Sequence, residues 1–143
     1  MAREAILSID CSRFTNDIAD VIKLFNRIGW NFTGNQMEYL PFKDKDMYDW
    51  KKEQLSEDIL FSVITQKQAA WEMIGVVLYE GNTGAGITLL AENTKEINLS
   101  LDVNRMKLDE EYTDSSWYVM NIVKRLEAAG CVIEHYEFRE WIG

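Results

Sequence analysis

Residues 97–104 read Ile-Asn-Leu-Ser-Leu-Asp-Val-Asn, and no other stretch constrains the fold as much. Ile97, Leu99, Leu101 and Val103 alternate strictly with Asn98, Ser100, Asp102 and Asn104. A period of two predicts a strand with one face on a core and the other in water. Asn and Asp are poor strand formers, so their repetition on one face contradicts local propensity. Such contradictions mark surfaces kept for a purpose, which makes Asn98, Ser100, Asp102 and Asn104 candidates for a ligand-binding face.

The segments around this strand predict the rest of the architecture. Glu4 to Asp10 reads as a first strand with Ala5, Leu7 and Ile9 on one face. Phe14, Ile18, Val21, Ile22, Phe25 and Ile28 then recur at helical spacing, with Ser12 or Thr15 as cap and Gly29 as stop. Residues 30–42 read as extended, with a turn at Thr33-Gly34-Asn35, and residues 43–54 as a charged loop entering a short helix. Ser56 caps a second helix that runs to about Ala70. Trp71–Tyr79, Ile87–Ala91 and the polar-striped strand follow, joined by turns at residues 81–84 and 93–95. Asp114 caps a third helix that ends at Gly130. Val132–Trp141 reads as the last strand, with Val132, Tyr136 and Phe138 toward the core and His135, Glu137 and Arg139 outward.

The order β-α-β-α-β-β-β-α-β predicts a single α+β domain over residues 1–143. Its mostly antiparallel sheet has about five or six strands, with helices packed on one face. A chain of 143 residues is long enough to bury a core without metals or disulfides. Cys11 and Cys131 fit no metal or disulfide spacing and are expected as buried free thiols. The start of the sequence lacks the pattern of a signal peptide and no stretch is long enough for a membrane span, so a cytoplasmic location is expected.

Twenty-four acidic residues against 15 basic ones give a net charge of −9. Nucleic acid and anionic membranes are repelled by that balance, whereas a basic protein is attracted. Two acidic segments carry aromatic anchors suited to such a partner. One is Asp44, Asp46, Asp49 and Trp50; the other is Asp109, Glu110, Glu111 and Asp114 around Tyr112. The plainer reading is that the acids are simply solvated and the aromatics point inward.

Catalytic motifs are weak. Ser100, Asp102 and the lone histidine, His135, with Ser8 and Asp10 nearby, permit a Ser-His-Asp drawing. Ser100 lacks the Gly-x-Ser-x-Gly turn that exposes a nucleophile beside an oxyanion site. Asp44, Asp46 and Asp49 resemble the start of a calcium loop, but Asp49 stands where that loop needs Gly and Leu55 where it needs Glu. Gly81 to Gly86 joins two strands and offers no helix start for a phosphate. No metal or cofactor is expected.

The leading expectation is a non-catalytic acidic binding or inhibitor module covering a basic partner protein. The analogy, in size and charge alone, is with small immunity proteins that neutralise toxins. One alternative is a small-molecule binder or hydrolase using the 98–104 face together with His135. Another is a structural homo-oligomer subunit.

Overall fold

A computed structural model describes residues 3–33, 36–45 and 47–143. Gly34 and Asn35 of the expected turn at Thr33-Gly34-Asn35, and Asp46 of the first acidic segment, fall outside that description. The elements are β1 (Arg3–Ile9), α1 (Ile18–Arg27), β2 (Trp30–Asn31), β3 (Gln36–Tyr39), β4 (Lys51–Gln54), α2 (Glu57–Ala69), β5 (Ile74–Glu80), β6 (Gly86–Ala91) and β7 (Ile97–Val103). A third helical segment follows as α3 (Ser115–Tyr118), a π-helical turn (Val119–Val123) and α4 (Lys124–Ala128), and β8 (Tyr136–Ile142) closes the chain.

The strands form one antiparallel sheet in the order β4-β3-β5-β6-β7-β1-β8, with β2 also on β5. The α+β class and antiparallel sheet agree with the sequence; among the described residues, eight strands replace the expected five or six. The extended segment after α1 is two strands, because β2 and β3 pair β5 in different registers, Trp30 opposite Glu80 and Tyr39 opposite Val76. Residues 51–54, expected within a helix-forming region, form β4 against β3. Consecutive charged residues there carry no apolar periodicity, and only the neighbouring strand supplies their order.

Alternation places Ala5, Leu7, Ile9, Ile74, Val76, Leu78, Ile87, Leu89, Ala91, Ile97, Leu99 and Leu101 on one buried face. The helices pack there: Ile18, Val21, Ile22 and Phe25 of α1, Leu60 and Ile64 of α2, and Tyr118, Ile122 and Leu126 of the third segment join the same core. Each such Leu or Ile contributes about 1.5–3 kcal/mol by leaving water.

Ser56 caps α2 as expected, accepting from the Ile59 N–H at 3.2 Å. Gly29 follows α1 at φ +105°, where a side chain would be strained. The α1 N-cap is Asp17 rather than Ser12 or Thr15, and it makes no side-chain cap bond. Thr15 Oγ1 instead accepts from the Asp17 N–H and donates to Asp20.

The last strand begins at Tyr136, not Val132. Residues 132–135 form no strand, and Val132 and Tyr136 are exposed rather than buried. Because β8 is a sheet edge, its core-side residues reach past the helix layer; Phe138 alone is half-buried among those expected inward. No helix among the described residues is long and apolar enough to cross a membrane.

Candidate functional site

β7 lies between β6 and β1, so its polar stripe runs along the middle of the sheet, on the face away from the helices. Cross-strand bonds explain how Asn, Ser and Asp persist there. The Ser8 hydroxyl donates to Asn98 Oδ1 at 2.6 Å, and Thr88 Oγ1 lies 3.1 and 3.2 Å from the two oxygens of Asp102. Ser100 sits mid-strand between Ile6 and Thr88. Crowding about the Asp102 carboxylate raises its pKa through lost hydration, against the opposing pull of Thr88 and Arg105.

A bulge shapes one end of this face. Between the pairs Gly86–Val103 and Thr88–Ser100, two β7 residues oppose the single residue Ile87. The strict alternation therefore breaks, and Val103 moves to the open side beside Gly86. A Cβ on Gly86 would lie 2.7 Å from the Val103 Cβ and 2.9 Å from the Tyr79 ring. Gly86→Ala is expected to destabilise the fold by about 1–3 kcal/mol. Urea unfolding measures it, and an unchanged midpoint would reject this packing.

Tyr79, held over Gly86, donates its hydroxyl to Glu38 Oε1 at 3.0 Å, and Lys52 lies 3.8 Å from the same carboxylate. Lost hydration, then Glu38, push the Tyr79 phenol upward, so it stays a neutral donor. Beyond it, Leu40 and Trp50 close over Gly75, whose missing Cβ leaves room for them. This cover explains why β5 is apolar on both sides although no helix among the described residues lies on the second one.

Along β6, β7, β1 and β8 no helix among the described residues covers the open face. Register places Glu4, Asp102 and Glu137 there, against Arg139, with Ile6, Leu90 and Trp141 as apolar members, while Glu38 and Lys52 lie on the same face beyond β5, on β3 and β4. Asn104 does not join them: it stands past the strand at φ +46°, and its amide donates to the Gly84 carbonyl at 3.0 Å.

His135 lies just before β8, at one end of the sheet. There Ser8, Asp10, Lys95, Glu96, His135, Glu137 and Arg139 line a cleft of about 430 Å³. The structure thus gathers Ser8, Asp10 and His135, but not as a triad. Ser8 gives its proton to Asn98, and Asp10 accepts from the Ser12 hydroxyl and N–H. Those Ser12 bonds, helped more weakly by the nearby Lys95 and His135, hold the Asp10 carboxyl below its usual range.

The two acidic segments lie apart. Residues 41–50 join β3 to β4 at one sheet edge, while Thr113 donates to Glu140 of β8 at the other, roughly 25–30 Å away across the strands. Asp44 is buried and accepts from the Tyr48 N–H at 3.1 Å, so it organises its own loop; Asp49 is exposed and Trp50 covers Gly75. Asp109 accepts from the N–H groups of Glu111 and Tyr112, and Asp114 caps α3 through the Trp117 N–H. Glu110 and Glu111 are exposed, and the Tyr112 ring receives the Arg3 guanidinium at 4.2 Å.

Glu4, Glu38, Thr88 and Trp141 share the open face yet carry no signal in the sequence. Each is an isolated polar or aromatic residue in its own strand, and only strand order and register bring them onto the face that carries Asp102 and Ser100. A comparison of the chain with protein-family models, curated proteins and solved structures finds no match in any of the three.

Proposed function

We propose that this protein is a non-catalytic, acidic, immunity-like binding module whose uncovered sheet face covers a basic partner protein. The observation that carries the reading is that, among the described residues, a broad sheet has helices on one face only. The other face offers short, mutually hydrogen-bonded side chains, more carboxylates than cations, and a few apolar anchors. Such a face is already ordered, so docking immobilises little, and its charge steers a basic partner. A cytoplasmic location belongs to this reading and is supported by two free, buried thiols.

The test is capture from the source cells at low salt by wild-type protein and by a Glu4→Lys/Asp102→Lys variant. The wild type should retain a basic protein that high salt releases, and the variant should retain at least about tenfold less. Equal retention by both, or none by the wild type, would sink the reading.

A second reading rests on the 430 Å³ cleft, whose Lys95 and Arg139 face Asp10, Glu96 and Glu137. Groups of both signs suit a small zwitterion such as an amino acid. Stabilisation in a thermal-shift screen of amino acids, lost in Lys95→Ala, would support it; a flat screen would remove it.

A further inference from the structure

The two edges of the sheet differ in kind. β4 is four residues long, Lys-Lys-Glu-Gln, and short, lysine-bearing edges resist pairing with another chain. β8 is seven residues long and carries Tyr136, Trp141 and Ile142 at 44%, 40% and 54% exposure. Its outer side has no backbone hydrogen bond among the described residues.

The backbone directions follow from one bond. The Asp10 N–H donates to the His135 carbonyl at 3.1 Å, and hydrogen-bonded pairs recur at every second residue of an antiparallel ladder. Glu137, Arg139 and Trp141 therefore direct their backbone groups to β1, opposite Ser8, Ile6 and Glu4. Tyr136, Phe138, Glu140 and Ile142 direct theirs outward, unpaired.

We propose that this free β8 edge pairs with the β8 edge of a second copy of the chain, antiparallel about a two-fold axis at Phe138. In that register Phe138 meets the second copy's Phe138, and Tyr136 meets the second copy's Glu140, each pair exchanging two backbone bonds. Glu137 and Arg139 then stand opposite the second copy's Arg139 and Glu137, as close, non-hydrogen-bonded pairs on the open face. Moving the axis to Glu137 sets Glu137 against its own copy, and moving it to Arg139 sets Arg139 against its own copy. Only the Phe138 axis pairs opposite charges twice. Within one chain the two side chains already attract each other, with Arg139 Nε 3.2 Å from Glu137 Oε1 while both stay half exposed. Two sheets joined in this way form one continuous sheet.

The proposal does not rest on the partner-binding reading, whose test alters Glu4 and Asp102 instead. One strand edge buries little area, so the dimer is expected to dissociate at roughly 1–100 μM. Sedimentation equilibrium should give a mass rising from 16.7 kDa toward twice that value as concentration increases. Glu137→Arg and Arg139→Glu, each placing like charges opposite one another twice, should weaken association about tenfold. The double variant exchanges the charges, restores both attractions and should regain the wild-type constant; circular dichroism checks that each variant is folded. A wild type that stays monomeric to about 200 μM would overturn the proposal. So would a double variant no better than the singles, or association indifferent to all three changes.

Discussion

Trp30→Ala is expected to lower stability by roughly 3–5 kcal/mol and the melting temperature by roughly 10 °C. The Trp30 side chain is fully buried, and its indole N–H donates to the Asn121 carbonyl at 3.0 Å. Its ring meets Trp117 edge-on, centroids 6.1 Å apart at 71°, and Trp117 in turn meets Tyr118 edge-on at 4.9 Å. Asn121 lies in the π-helical turn, where the wider winding presents its carbonyl to the core. Truncation therefore removes a large apolar volume, an aromatic contact and the partner of a carbonyl at once. Trp30→Phe keeps most of the volume and should lose about half as much. Chemical denaturation of both variants is the measurement. A loss below about 1 kcal/mol for Trp30→Ala would mean that the third helical segment does not depend on this contact.

Glu80→Ala is expected to destabilise by about 3 kcal/mol, the size of breaking a buried pair from one side. Glu80 is buried at the end of β5. It accepts from the N–H groups of Asn82 and Thr83, the Thr83 hydroxyl and Arg125 Nη1 at 3.2 Å. Arg125 Nη1 also donates to the Ile28 carbonyl at 3.0 Å. One carboxylate thus ties the β5–β6 turn, the end of α1 and α4 together.

Burial alone would raise its pKa, but Thr83, Arg125 and Asn82 outweigh that and hold it below the ordinary value of 4.5. A depressed folded-state pKa means the contribution is complete above 4.5 and is lost as pH falls through the lower folded value. The gap between wild type and Glu80→Ala should therefore be widest at neutral pH and narrow below the ordinary value. A gap constant down to strong acid would show that the carboxylate charge has no part in it. Trp30 and Glu80 face each other across β2 and β5, so their effects should not simply add.

The elements with strong period were legible from residues alone. β1, α1, α2, β6 and β7 lie close to where their apolar spacing puts them, because each buries one face against the same core. β4 was not legible: four charged or amide residues in a row carry no period, and β3 alone makes them a strand. The start of β8 was misplaced because an edge strand half outside the core imposes no alternation on residues 132–135. The bulge that turns Val103 outward is equally silent in the sequence, since its apolar side chain continued the pattern.

The polar stripe at Asn98, Ser100 and Asp102 is the part of the candidate site that the sequence determined by itself, because period two assigns side chains to faces. Strand order and register decided the rest. Pairing β7 with β1 and β6 brought Ser8 to Asn98 and Thr88 to Asp102, and placed the stripe mid-sheet rather than at an edge. Periodicity along a strand tells which way a residue points, but its neighbours come from strands distant in sequence. Their hydrogen-bonded ladder, and the helices that chose one face and left the other bare, exist only in the folded chain.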